Sequence, residues 1–172
     1  MSTIDTPVTI ARIAKEDAAV LSNLLQLYAH DFSEHVALEL RESGLFDVAP
    51  SEKWWSEGTH FPFLIRARGN LAGFALVRQG SHLTHDARVF DVAEFFVVRG
   101  ARRDGVGRSA AHAIFTAFPG PWEVRVRRSN AAALAFWLRA IETWTGSPAP
   151  IEPFAADGVD WNLLRVHGPR TL

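Results

Sequence analysis

The stretch Val97-Val98-Arg99-Gly100-Ala101-Arg102-Arg103-Asp104-Gly105-Val106-Gly107-Arg108 decides the reading of this chain. It follows the run Val89–Val98 (VFDVAEFFVV), which is apolar on both faces, as a central strand covered on both sides should be. It leads into Gly105–Phe118, where Val106, Ala110, Ala113, Ile114, Ala117 and Phe118 recur at helical spacing. A strand therefore enters an arginine-rich, glycine-spaced loop that opens directly into a helix. Glycine lacks a Cβ, so Gly105 and Gly107 let backbone N–H groups turn inward towards a ligand. The helix start adds unpaired N–H donors and partial positive charge. Arginine forks add charge-assisted bonds. These properties suit a pyrophosphate, and a plain tight turn is the competing reading. No Gly-Lys-Ser/Thr follows, so this is not a P-loop, and no third glycine completes a dinucleotide fingerprint.

Working outward, Val8–Ala14 alternates as a strand, and residues 15–31 carry Val20, Leu21, Leu24, Leu25, Leu27 and Tyr28 on one helical stripe. Ser33–Arg41 reads as a second short helix from a serine cap, and SEKWWSE at 51–57 as a turn of helix. Phe61–Arg68 and Leu71–Arg78 are apolar runs joined at Gly69-Asn70, a hairpin signal. Trp122–Val126 is a strand, and Asn130–Trp144 is the clearest helix, ended by Gly146, Pro148 and Pro150. Ile151–Phe154 and Trp161–Val166 are two last strands around a loop holding Asp157, Gly158 and Asp160. The order β α α β β β α β α β β argues for a mixed sheet with helices on both faces, in one domain over residues 1–172.

Composition narrows the function. At 172 residues, 48% hydrophobic and 22% charged, the chain is an ordinary globular domain. The absence of cysteine excludes disulfides, thiolate metal sites and cysteine nucleophiles. No apolar run approaches a spanning helix, and the N-terminal stretch has no secretory pattern, so a cytoplasmic location is expected. A net charge of −1 lacks the basic footprint of a nucleic-acid binder. Within that balance the charges segregate. Arginine outnumbers lysine sixteen to two and clusters at 99–108 and 125–128, while residues 31–57 lean acidic. Together with Asp157 and Asp160, the acidic stretch reads as negative potential that would attract a cationic substrate.

The element order, the Arg102-x-x-Gly105-x-Gly107 pattern and the later helix opening Asn130-x-x-Ala133 together resemble the GNAT superfamily of N-acetyltransferases. The resemblance runs from Val8 to about Val166 and is most specific over residues 92–144. It implies an α/β (α+β) fold with a mixed, mostly antiparallel central sheet of about seven strands. It also implies acetyl-CoA as acyl donor, with no metal. By that resemblance Val97 and Arg99 offer backbone groups to the acetyl-pantetheine. Arg102, Arg103, Gly105, Val106, Gly107, Arg108 and Ser109 hold the phosphates, and Asn130, Ala133, Phe136 and Trp137 flank the pantetheine and thiol.

Glu94 is the candidate general base. A carboxylate in so apolar a run is costly to bury unpaired, and burial raises its pKa towards a useful range. A structural carboxylate paired with an arginine is the alternative, and Asp91 is a weaker rival. The seven histidines form no zinc-like pair, and Trp54, Trp55, Phe61 and Phe63 read as core. Many members of the resembling family carry a phenol where this chain has Trp137; the chain's one tyrosine, Tyr28, falls on the apolar stripe and reads as core packing. The expected activity is acetyl transfer to a primary amine, of a small molecule or a peptide, by direct attack in a ternary complex. A backbone donor near Val97 is expected to stabilise the oxyanion. A non-catalytic acyl-CoA-binding module and an RNA-acetylating toxin are the rivals. No membrane or nucleic-acid partner is expected, and a homodimer is left open.

Overall fold

A computed structural model describes residues 7–168. Residues 1–6 of the stretch read for a leader, and the chain end at 169–172, lie outside the described residues. The strands are β1 (Val8–Arg12), β2 (His60–Ala67), β3 (Asn70–Gln79), β4 (Phe90–Val97), β5 (Trp122–Arg127), β6 (Ile151–Ala156) and β7 (Val159–Val166). The helices are α1 (Ala18–Phe32), the single turn α2 (Lys53–Ser56), α3 (Val106–Ala117) and α4 (Ala131–Thr145). The seven strands form one sheet in the order β1-β2-β3-β4-β5-β7-β6. Every neighbouring pair is antiparallel except β4 with β5. No helix among the described residues is long and apolar enough to cross a membrane.

Strand alternation sends side chains to two faces, and each face has its own core. On one, Leu64, Phe74, Leu76 and Phe96 meet Leu21, Leu24 and Leu25 of α1, with Trp54 and Trp55 of α2 packed alongside. On the other, Ile65, Ala75, Val77 and Val124 meet Ala110, Ile114 and Phe115 of α3 and Trp137 and Ile141 of α4. Helices on both faces match the sequence expectation, and the double cover explains why β4 is apolar on both faces apart from Asp91 and Glu94.

Two local expectations are corrected. Residues 33–41 form no helix. After α1 the chain turns, and Leu40 bridges Phe46 across the left-handed Gly44 (φ 76°). Gln26 of α1 fixes that loop by accepting from the Phe46 N–H at 2.8 Å and donating to the Phe46 and Val48 carbonyls at 3.2 Å. A Val36–Leu40 pair alone was too weak to secure a helix over 33–41. The β2–β3 hairpin turns at Arg68-Gly69, one residue earlier than expected, with both residues at positive φ (51° and 80°) as a two-residue type I′ connection requires.

Candidate functional site

The parallel contact of β4 with β5 is short. It pairs Phe90 with Trp122, Asp91 with Glu123 and Val92 with Val124, and then stops. β4 continues to Val97 against β3 alone, while β5 continues to Arg127 against β7. Two features part the strands. Ala93 is skipped in the β3–β4 register, where Leu76 faces Glu94 and Val77 faces Val92. Such a bulge bends its strand and re-aims the side chains after it. Gly73 lies directly opposite Val97, and a Cβ there would stand 1.9 Å from the Phe96 carbonyl oxygen, so only glycine lets β3 follow β4 through this region.

Two cavities open along the gap. The larger, about 360 Å³, extends over Phe95, Phe96 and Val97 to Arg103 and Gly107, with Asn130 and Phe136 of α4 opposite. The smaller, about 250 Å³, is lined by Glu94, Arg125, Arg127, Trp137 and Trp161. Tyr28, Phe32, Phe95, Asn130 and Ala133 line both.

Glu94 stands in the smaller cavity, half-buried, and the Tyr28 hydroxyl donates to its Oε2. Burial pushes the Glu94 carboxyl up from its ordinary value, and the Tyr28 hydrogen bond pulls the other way. Burial, and then the negative charge of Glu94, push the Tyr28 phenol up as well, so it stays protonated at neutral pH. Tyr28 is therefore more than core packing. Its ring does pack against Phe32, Phe74 and Phe96, but its hydroxyl bonds Glu94 at the cavity. Nothing local in the sequence joins residues 66 positions apart. Asp91, the rival acid, is fully buried and held by Arg78 at 2.5 Å and Arg125 at 3.1 Å, which makes it structural.

The glycine loop has the expected backbone. Gly105 is left-handed (φ 78°) and caps α3, which begins at Val106. Gly107 lines the larger cavity, and a Cβ there would lie 3.0 Å from Phe136 Cε2, so its smallness also seats α4's ring against α3. The arginines divide into two groups. Arg99 donates to Asp31 at 2.9 Å and reaches Glu34 at 3.4 Å. Arg102 bonds Asp31 too, and its Nε donates to the Val97 carbonyl at 2.7 Å. Desolvation alone would raise the Asp31 carboxyl, but the bonds from Arg102 and Arg99 hold it below its ordinary value. These two guanidinium groups pin the loop to α1. Arg103 and Arg108 are exposed and have no ion-pair partner among the described residues. Val106 is buried in the core, and Ser109 sits one turn into α3 with its N–H on the Gly105 carbonyl.

Asn130 caps α4 by accepting from the Ala133 N–H at 2.9 Å. That bond turns the first residues of the helix towards the larger cavity, where Phe136 also stands. Trp137 is mostly buried among Phe95, Phe115 and Phe136, and reaches only the smaller cavity.

Part of the acidic stretch is ion-paired: Asp31 and Glu34 with Arg99, Glu52 with Lys15 (2.8 Å) and Asp47 with Arg41, as is Asp160 with Arg128 (3.8 Å) at the last turn. Glu39, Glu42 and Asp157 have no ion-pair partner among the described residues. Among the described residues no group of three or more His, Asp or Glu is placed to hold a metal ion.

A family model described as "Acetyltransferase (GNAT) family" matches residues 21–141. No curated protein gives a significant match. Among solved structures, an acetyltransferase from Thermus thermophilus superposes with a TM-score of 0.67 at 15% identity, over 94% of this chain and 97% of that one. A putative acetyltransferase from Salmonella typhimurium, solved with its cofactor acetyl-CoA, gives 0.59 at 15% identity over 97% of both chains. Spermidine N-acetyltransferase from Vibrio cholerae, in complex with CoA and spermine, gives 0.59 at 12% identity over 92% of this chain and 94% of that one.

Proposed function

Since the chain belongs to the acetyltransferase (GNAT) family, we propose that it transfers an acetyl group from acetyl-CoA to a primary amine, which attacks directly in a ternary complex. The observation that carries this reading is the gap between β4 and β5, which joins a half-buried Tyr28–Glu94 pair to a left-handed glycine loop at a helix start.

The residues present fit the acyl donor. The unpaired β4 edge after Val92 offers backbone groups to an extended amide chain. Gly105, the first N–H groups of α3, and the uncommitted Arg103 and Arg108 suit phosphate oxygens. The solved structure of similar fold that holds acetyl-CoA as its cofactor supports acetyl-CoA as the donor. Acetyl-CoA, when bound, supplies an activated thioester.

The chain's own contribution is orientation and proton handling. Asn130 and Phe136 wall one side of the larger cavity and Tyr28 and Phe32 the other, which limits the approach of the two reactants. Glu94 takes the proton of the acceptor ammonium, directly or through one water. Its raised pKa brings it closer to that of the amine than an ordinary carboxylate would be. Tyr28 occupies Oε2 and leaves Oε1 to accept the proton.

The test is thiol release over an amine library at several pH values, in wild type and in Glu94→Gln. The substitution is expected to lower turnover about 10²–10⁴-fold and remove the acid-side limb of the pH profile, with acetyl-CoA binding kept. A variant with full rate and an unchanged profile would return Glu94 to a structural role.

A further inference from the structure

We propose that the smaller cavity selects an acceptor amine that also carries a carboxylate, as a free amino acid does, and that Arg127 is the group that holds it. This rests on the acetyl-transfer reading above and names its substrate class.

Arg127 ends β5 in the wall of the same cavity as Glu94. Its guanidinium lies between two aromatic faces, 5.1 Å from the Trp161 ring centroid and 5.6 Å from that of Phe32. Its Nε is buried and has no hydrogen-bond partner. No carboxylate among the described residues lies within ion-pair distance of it, whereas its neighbours are committed, Arg125 to Asp91 and Arg128 to Asp160. A buried guanidinium nitrogen without an acceptor is costly and is satisfied when a ligand supplies one. Arg127 also lies close enough to Tyr28 for its charge to oppose the rise in that phenol's pKa, which sets it beside the proton-handling pair.

The charges on the lining agree. Arg125 and Arg127 are the cations of the lining and Glu94 is its carboxylate, and Arg125 is already paired with Asp91 behind the wall. Arg127 is thus the cation left for an anion of the ligand. A polyamine supplies none, whereas a zwitterion's carboxylate can accept a forked pair of bonds from Arg127 while its ammonium turns to Glu94. Phe32 and Trp161 then cover the remainder of the molecule.

The experiment is calorimetry on the full chain with CoA present, using matched sets: an aromatic and an aliphatic amino acid, each with its carboxamide and its decarboxylated amine. The wild type is expected to bind the acids about 10- to 100-fold more tightly than the amides, the range of a charge-assisted bond. Arg127→Met keeps a stem between the two rings and is expected to abolish that ratio, and Arg127→Lys to keep part of it. Equal affinity for acid and amide in the wild type, no binding of either acid, or a ratio unchanged in a folded Arg127→Met protein overturns the proposal. Thiol release is read on the same panel. Silence there, with the acid preference intact, counts against acetyl transfer and leaves the carboxylate site standing.

Discussion

Tyr28→Phe isolates what the hydroxyl does from what the ring does. The ring contacts with Phe32, Phe74 and Phe96 survive the change, and the bond to Glu94 Oε2 is lost. A hydrogen bond to a charged group contributes about 1.5–3 kcal/mol. At about 1.4 kcal/mol per pKa unit that is roughly 1–2 units. The sign follows from the two opposed effects on Glu94: burial raises its pKa and Tyr28 lowers it, so removing Tyr28 raises it further. On the acid side of the rate profile the ionised fraction falls about tenfold per unit. Thiol release is therefore expected to drop about 10- to 100-fold there and to converge with the wild type at high pH. Stability carries the same signature. A carboxyl whose folded pKa is raised contributes stability below its unfolded pKa and loses it as pH rises through the folded value. The Tm gap between wild type and variant is thus expected to widen with rising pH. An unmoved rate limb with a pH-independent Tm gap would refute the coupling of Tyr28 to Glu94. A uniform loss of rate at every pH refutes it too, because that is what removing a proton donor to the leaving thiolate would produce.

Gly73→Ala forces a Cβ onto the Phe96 carbonyl oxygen, a backbone atom that cannot swing aside, and is expected to destabilise the fold by more than about 3 kcal/mol, read as Tm. Asp91→Asn leaves Arg78 and Arg125 without their shared carboxylate and is expected to cost about 3–5 kcal/mol in urea denaturation at neutral pH. Replacing Arg103 and Arg108 together with glutamine is expected to weaken acetyl-CoA binding at least about tenfold by calorimetry and flatten its salt dependence, with thermal stability unchanged because neither has an ion-pair partner among the described residues.

The sequence by itself determined the elements and their order. Apolar period and glycine position specify β4, the loop after it and α3, because these are preferences of neighbouring residues along one segment. Gly105 was legible as the glycine of the loop before α3, and its left-handed φ of 78° is a conformation that glycine takes at least cost. Asn130 was legible as the opening of the last helix, and the structure makes it the cap, accepting from the Ala133 N–H. Where a segment's own preference was weak, as at 33–41, no helix formed, and Gln26 from α1 anchors the loop beyond it at Phe46 and Val48. Only the tertiary structure decided which charges are available. The sequence reads Arg99 for its backbone and Arg102 for phosphate, and in the fold both side chains bond Asp31. Arg127 looked like one of a basic run, and the fold leaves it between two rings without a carboxylate. Tyr28 and Glu94 meet because α1 crosses the sheet where the Ala93 bulge re-aims β4. Pairing of this kind depends on strand order and on how far two strands part, and neither is a property of any short stretch of chain.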